Sequence, residues 1–99
     1  MSKRVIEVTF ITKPGCHLCD DARPVLEDAL SELRAEGIEA QLTELNMLDD
    51  ETLISRYQED IPVVLIDGKR HSYWRVDRER FIAAVTKRAA RGLRGLFRS

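Results

Sequence analysis

A chain of 99 residues makes one domain, able to bury roughly two-thirds of its unfolded surface around a single core without staples. An apolar share of 43% beside 33% charged residues argues against disorder, and a net charge of −1 gives no whole-molecule field to draw in nucleic acid or acidic lipid. No apolar run approaches the ~20 residues of a membrane span, and Met1-Ser2-Lys3-Arg4 leads into no secretory apolar core, so the expected compartment is the cytoplasm.

Val5 to Thr12 is rich in β-branched and aromatic residues and predicts a buried strand, which Lys13-Pro14-Gly15 breaks. A helix is expected from about Cys16 to Glu36. Leu18, Ala22, Val25, Leu26, Ala29, Leu30 and Leu33 recur at its period, Pro24 should kink it, and Gly37 stops it. Ile38 to Leu45 alternates apolar and polar residues and predicts a second strand. Asp49 or Asp50 can cap a short helix through Tyr57. Pro62 then opens a third strand, Val63-Val64-Leu65-Ile66, and Asp67-Gly68 predicts a hairpin into a fourth, about Arg70 to Trp74. Asp77 caps a last helix with Phe81, Ile82 and Val85 inward. The order β-α-β-α-β-β-α predicts one α/β domain over 1–99: a four-stranded mixed sheet, its first βαβ unit parallel, flanked by three helices.

Cys16-His17-Leu18-Cys19 falls where the first strand passes into the first helix. There, free backbone N–H groups and the positive dipole end stabilise a thiolate, the form that attacks disulfides. Cys19, nearly one turn on, can reach Cys16 and release a mixed disulfide. Lys13 and protonated His17 favour the thiolate, while Asp20 and Asp21 oppose it. His17 reads as a tuner of charge rather than a base, and His71 as a strand residue facing solvent. Two functions use such a pair. One is thiol–disulfide exchange. The other is a metal-binding (zinc or iron–sulfur) or binding-only module, although zinc wants four ligands and only Cys16, Cys19, His17 and His71 offer themselves. No resident metal is expected.

Thr12-Lys13-Pro14-Gly15-Cys16-His17-Leu18-Cys19-Asp20-Asp21-Ala22 and Arg56-Tyr57-Gln58-Glu59-Asp60-Ile61-Pro62-Val63-Val64 together resemble the thioredoxin superfamily, and within it the glutaredoxin-like family with a Gly-Cys-x-Leu-Cys motif. The likeness runs over about Val5 to Val85, and Pro24 resembles the helix-kinking proline of thioredoxins. It implies a thioredoxin-like fold and a thiol–disulfide oxidoreductase, with Cys16 as nucleophile and Cys19 as resolving thiol. It further implies that Pro62 is cis beside the thiols, that the Ile61 backbone pairs with an extended peptide or glutathione, and that Lys13 meets a glutathione carboxylate. His17 and Arg75 complete the expected substrate-binding set. The glutaredoxin Gly-Gly pair is replaced in Tyr73-Trp74-Arg75-Val76-Asp77, where Arg75 offers a cation to a carboxylate. Gly15 and Phe10 stand where thioredoxins have a tryptophan and a buried acid. The expected partners are a disulfide-containing protein or glutathione and an external reductant. Glutathione is the one co-substrate implied, no tightly bound cofactor is expected, and a monomer suffices.

Beyond Glu79 the chain has no acid and six bases, Arg80, Lys87, Arg88, Arg91, Arg94 and Arg98. A basic tail over about 87–99 invites contact with nucleic acid, anionic lipid or an acidic partner. The simpler reading is that cations suit a helix C-terminus and that Gly92 and Gly95 fray it, so neither nucleic acid nor membrane is an expected partner.

Overall fold

A computed structural model describes residues 5–97, with side chains for these except Tyr73 and 91–97. The elements are β1 (Ile6–Thr12), α1 (His17–Ala35), β2 (Ala40–Asn46), a 3₁₀ turn (Met47–Asp49), α2 (Glu51–Tyr57), β3 (Val63–Ile66), β4 (Lys69–Tyr73) and α3 (Arg78–Phe97). They form one four-stranded mixed sheet in the order β2-β1-β3-β4 with three helices. β1 pairs parallel with β2, from Ile6 opposite Ala40 to Thr12 opposite Asn46. It pairs antiparallel with β3, Val8 opposite Ile66 and Ile11 opposite Val63.

β1 explains why it is central. Ile6, Val8 and Phe10 alternate with less buried Glu7 and Thr9, and then Ile11 and Thr12 are both buried. One face is covered along the strand and both faces at its C-terminal end, while β2 and β3 pair with its two edges. Leu26, Ala29, Leu30 and Leu33 of α1, Val63 and Val64 of β3, and Phe81 and Val85 of α3 complete the core.

The caps follow local chemistry. Asp50 accepts the Thr52 amide at 2.8 Å to start α2, and Asp77 accepts the Arg80 amide at 3.0 Å in the first turn of α3. Asp67 and Gly68 both have positive φ (49° and 83°), the primed-turn backbone of a two-residue hairpin. The Asp67 carboxylate then accepts the Glu7 amide at 2.9 Å and Arg88 Nε at 2.7 Å, tying the turn to β1 and α3.

Three readings shift. β2 begins at Ala40 rather than Ile38, because the Ile38 amide bonds the Leu33 carbonyl at 3.0 Å and still belongs to the exit from α1. His71 does not face solvent: it is half-buried on β4, edge-on to Phe81 at 5.9 Å between ring centroids. α3 continues through Gly92 and Gly95 to Phe97, a stretch of Ala, Arg and Leu whose helix propensity offsets the roughly 1 kcal/mol cost of each glycine. α1 likewise runs as one helix with Pro24 inside it.

Candidate active site

The parallel register brings the ends of β1 and β2 to one edge of the sheet, and the antiparallel pairing of β1 with β3 brings the start of β3 to the same edge. From there Lys13, Pro14 and Gly15 turn the chain into α1. Gly15 has φ 75°, with open space where a Cβ would stand, so glycine is required there by backbone conformation rather than by crowding.

Cys16 is the N-cap of α1. Its backbone is extended (φ −91°, ψ 108°), and its Sγ accepts the Cys19 amide at 3.1 Å. Sulfur thus takes the place of a capping oxygen, facing the first-turn N–H groups that favour an anion there. Cys16 and Cys19 are joined as a disulfide with Cα atoms 5.2 Å apart. Their exposures differ: Cys16 is half-buried, whereas Cys19 is 1% exposed and packs in the core. Lys13, His17 and Leu18 are exposed around the pair.

The Ile61–Pro62 peptide bond is cis. Pro62 directly precedes Val63, the partner of Ile11, and so lies at the edge that carries the 13–16 turn. Both Ile61 and Pro62 are buried. Among the described residues the Ile61 N–H and C=O take no partner, whereas the Pro62 carbonyl accepts the Trp74 amide at 2.9 Å. Trp74 binds this loop twice more: its amide also reaches the Asp60 carbonyl at 3.3 Å, and its indole Nε1 donates to the Glu59 carbonyl at 2.9 Å. An Arg70–Asp60 ion pair at 3.4 Å braces the loop against β4. Trp74 is half exposed, and with Arg75 and Val76 it faces Leu18, Ala22 and Val25 of α1 across a groove of about 230 Å³. Arg75 therefore sits beside the cysteine helix, while Lys13 and His17 are not among the groove residues.

A second cluster was not foreseen from sequence. The Arg23 guanidinium donates to Glu44 through Nε at 2.9 Å and Nη2 at 2.8 Å, and to Asp20 through Nη1 at 3.1 Å. Thr12 Oγ1 donates to Glu44 at 3.0 Å, and the guanidinium lies over the Phe10 ring, 5.9 Å from its centroid. The bonds from Arg23, more than that from Thr12, hold the Glu44 carboxyl below the usual carboxylate range, and bonds to Glu44 and then Asp20 raise the Arg23 guanidinium. Only the Asp20–Arg23 spacing of three was a visible signal. Glu44 and Thr12 meet the cluster through the β1–β2 register. Among the described residues, no group of three or more His, Cys, Asp or Glu is arranged to hold a metal ion.

A profile of the Glutaredoxin-like domain (DUF836) matches residues 7–86. The chain belongs to this glutaredoxin-like family. The uncharacterized protein Rv0508 of Mycobacterium tuberculosis is 30% identical over 81 residues, 82% of this chain and 84% of that one. The Glutaredoxin-like protein YDR286C homolog of Dictyostelium discoideum is 25% identical over 76 residues, 76% of this chain and 70% of that one. Among solved structures, Fasciola hepatica thioredoxin matches with a TM-score of 0.58 at 20% identity, over 86% of this chain and 82% of that one. The first two thioredoxin domains of Naumovozyma dairenensis Eps1p match with a TM-score of 0.59 at 23% identity. That match covers 88% of this chain and 36% of the Eps1p chain. At these identities the structures establish the thioredoxin-like fold of this glutaredoxin-like domain. None of its helices, among the described residues, is long and apolar enough to cross a membrane.

Proposed function

We propose that this glutaredoxin-like protein is a thiol–disulfide oxidoreductase acting through Cys16 and Cys19. The observation that carries the reading is the asymmetry of the pair: Cys16 caps α1 and is open to solvent on one side, while Cys19 is sealed in the core. A macromolecular or glutathione disulfide meets Cys16 first. The Cys16 thiolate attacks one sulfur of the substrate disulfide, the substrate S–S bond breaks, and the departing thiolate takes a proton from water. Cys19 then gives up its proton and attacks the Cys16 sulfur, releasing the second substrate thiol and forming the Cys16–Cys19 disulfide. Two electrons pass to the substrate, and an external dithiol or thiol reductant restores the pair.

Lys13, His17, Ile61, Pro62 and Arg75 are the proposed substrate contacts. The unpartnered Ile61 backbone groups favour pairing with an extended substrate segment, and Arg75 at the groove offers a cation to a carboxylate. A reducing compartment such as the cytoplasm suits this direction of chemistry.

With limiting iodoacetamide, the reduced protein is expected to be labelled first at Cys16. Cys19→Ser is expected to accumulate a mixed disulfide on Cys16, identified by mass spectrometry of the trapped species. Labelling that begins at Cys19 reverses the roles, and stoichiometric zinc or iron in protein purified without chelators, with no exchange activity, replaces the reading with a metal-binding module.

A further inference from the structure

Cys16, Cys19, Asp20 and Arg23 follow one another at i, i+3, i+4 and i+7, so they form one stripe along α1. Two carboxylates bear on that stripe. Asp20 stands in the first turn, its amide bonded to the Cys16 carbonyl at 3.1 Å, and Glu44 reaches across from β2. Left alone, each would disfavour a thiolate at the head of the stripe. Arg23 engages both, with a two-nitrogen fork on Glu44 and its remaining terminal nitrogen on Asp20. Its guanidinium rests on the fully buried Phe10, and Thr12, itself buried, bonds the same Glu44 carboxylate. The fork is therefore fixed on three sides.

We propose that Arg23 is a positioning residue for the thiol pair: by holding Asp20 and Glu44 together and offsetting one of their two negative charges, it keeps the Cys16 thiolate populated near neutral pH. The assignment rests on the thiol–disulfide reading. The other charged groups facing this end are Lys13 and His17 beside Cys16, Asp21 on α1, Arg75 in the segment after β4, and Asp60 with Arg70 next to the proline loop. All of them are untouched when Arg23 is changed, so the test isolates the cluster.

The test is the pH profile of iodoacetamide modification of Cys16 in the reduced, full-length protein, read by peptide mass. Arg23→Gln is expected to raise the midpoint by about 0.5 and to slow labelling about threefold at pH values well below the midpoint. Arg23→Lys keeps the charge and is expected to stay near wild type. Asp20→Asn leaves the Arg23–Glu44 fork in place and is expected to shift the midpoint down, so the inference stays testable even where Arg23→Gln folds poorly. An unmoved midpoint in either Arg23→Gln or Asp20→Asn, or equal shifts for Arg23→Gln and Arg23→Lys, reduces Arg23 to a structural tie and overturns the proposal. If the shifts occur but the wild-type protein exchanges no disulfide, the proposed function fails while the electrostatic assignment holds.

Discussion

Trp74 holds a backbone conformation that its own side chain opposes. Its φ of 68° lies in the left-handed region, which costs a non-glycine residue about 1–2 kcal/mol. The surrounding bonds explain why it stays there: the amide reaches two carbonyls of the proline loop and the indole a third. This is the stretch where the sequence departs from the glutaredoxin glycine pair, and the bulky residue keeps a glycine-like backbone. Two truncations separate strain from contact. Trp74→Ala loses the indole bond and keeps the strain, whereas Trp74→Gly loses the bond and relieves the strain. Trp74→Gly is therefore expected to be the more stable of the two by about 1 kcal/mol in urea denaturation of the oxidised proteins, despite the extra unfolded-state freedom of glycine. Equal midpoints would mean that the position accepts a side chain without cost.

Between elements, Arg78 adds a polar tie to the apolar contact of α1 with α3. Arg78 donates through Nε to Asp28 at 2.7 Å and through Nη2 to Glu32 at 2.7 Å, both on α1, and through Nη1 to Glu79 at 3.0 Å. Asp28 and Glu32 are one turn apart, so the fork spans both from the first turn of α3. A single exposed pair is worth a few tenths of a kcal/mol, but three pairs sharing one partly covered arginine form a network. Arg78→Ala is expected to lower the melting temperature slightly, with the difference shrinking in 1 M salt. A loss unaffected by salt would assign the effect to packing of the arginine stem instead. The same helix pair shows what sequence could and could not convey. The apolar stripes of α1 and α3 and the caps at Asp50 and Asp77 were legible because each is a local pattern. The Arg78 fork was not, since its partners lie 46 and 50 residues away and meet it only after both helices dock.

For the molecule as a whole, that division between local pattern and assembled contact also decides how it responds to acid. The element order and the cysteine pair could be read in the chain, because hydrophobic runs, Asp67-Gly68 and the strand-to-helix step are contiguous signals. His71 was misplaced because Lys69-Arg70-His71-Ser72-Tyr73 has no apolar alternation, and its cover comes from Phe81 on the following helix. Glu44 gained its partners only through the parallel register of β1 and β2. Both assembled sites weaken the fold on acidification. Burial, and secondarily Arg80, lowers the folded pKa of His71 from its ordinary 6.5, so the unfolded chain binds the proton more readily. The stability tied to the neutral ring is complete above about 6.5 and is lost as pH falls from there through the lowered folded value. Glu44 acts in a second, lower window. Arg23 lowers its folded pKa from 4.5, so its contribution is present above that value and is lost as pH falls through the depressed one. Urea midpoints of the oxidised protein should therefore decline in two stages, the first starting just below pH 6.5 and the second below pH 4.5. His71→Gln is expected to flatten the first stage and leave the second. Arg23→Gln should do the reverse, because without the guanidinium Glu44 loses the main cause of its depressed value. A first stage that survives His71→Gln unchanged would place the upper titration elsewhere.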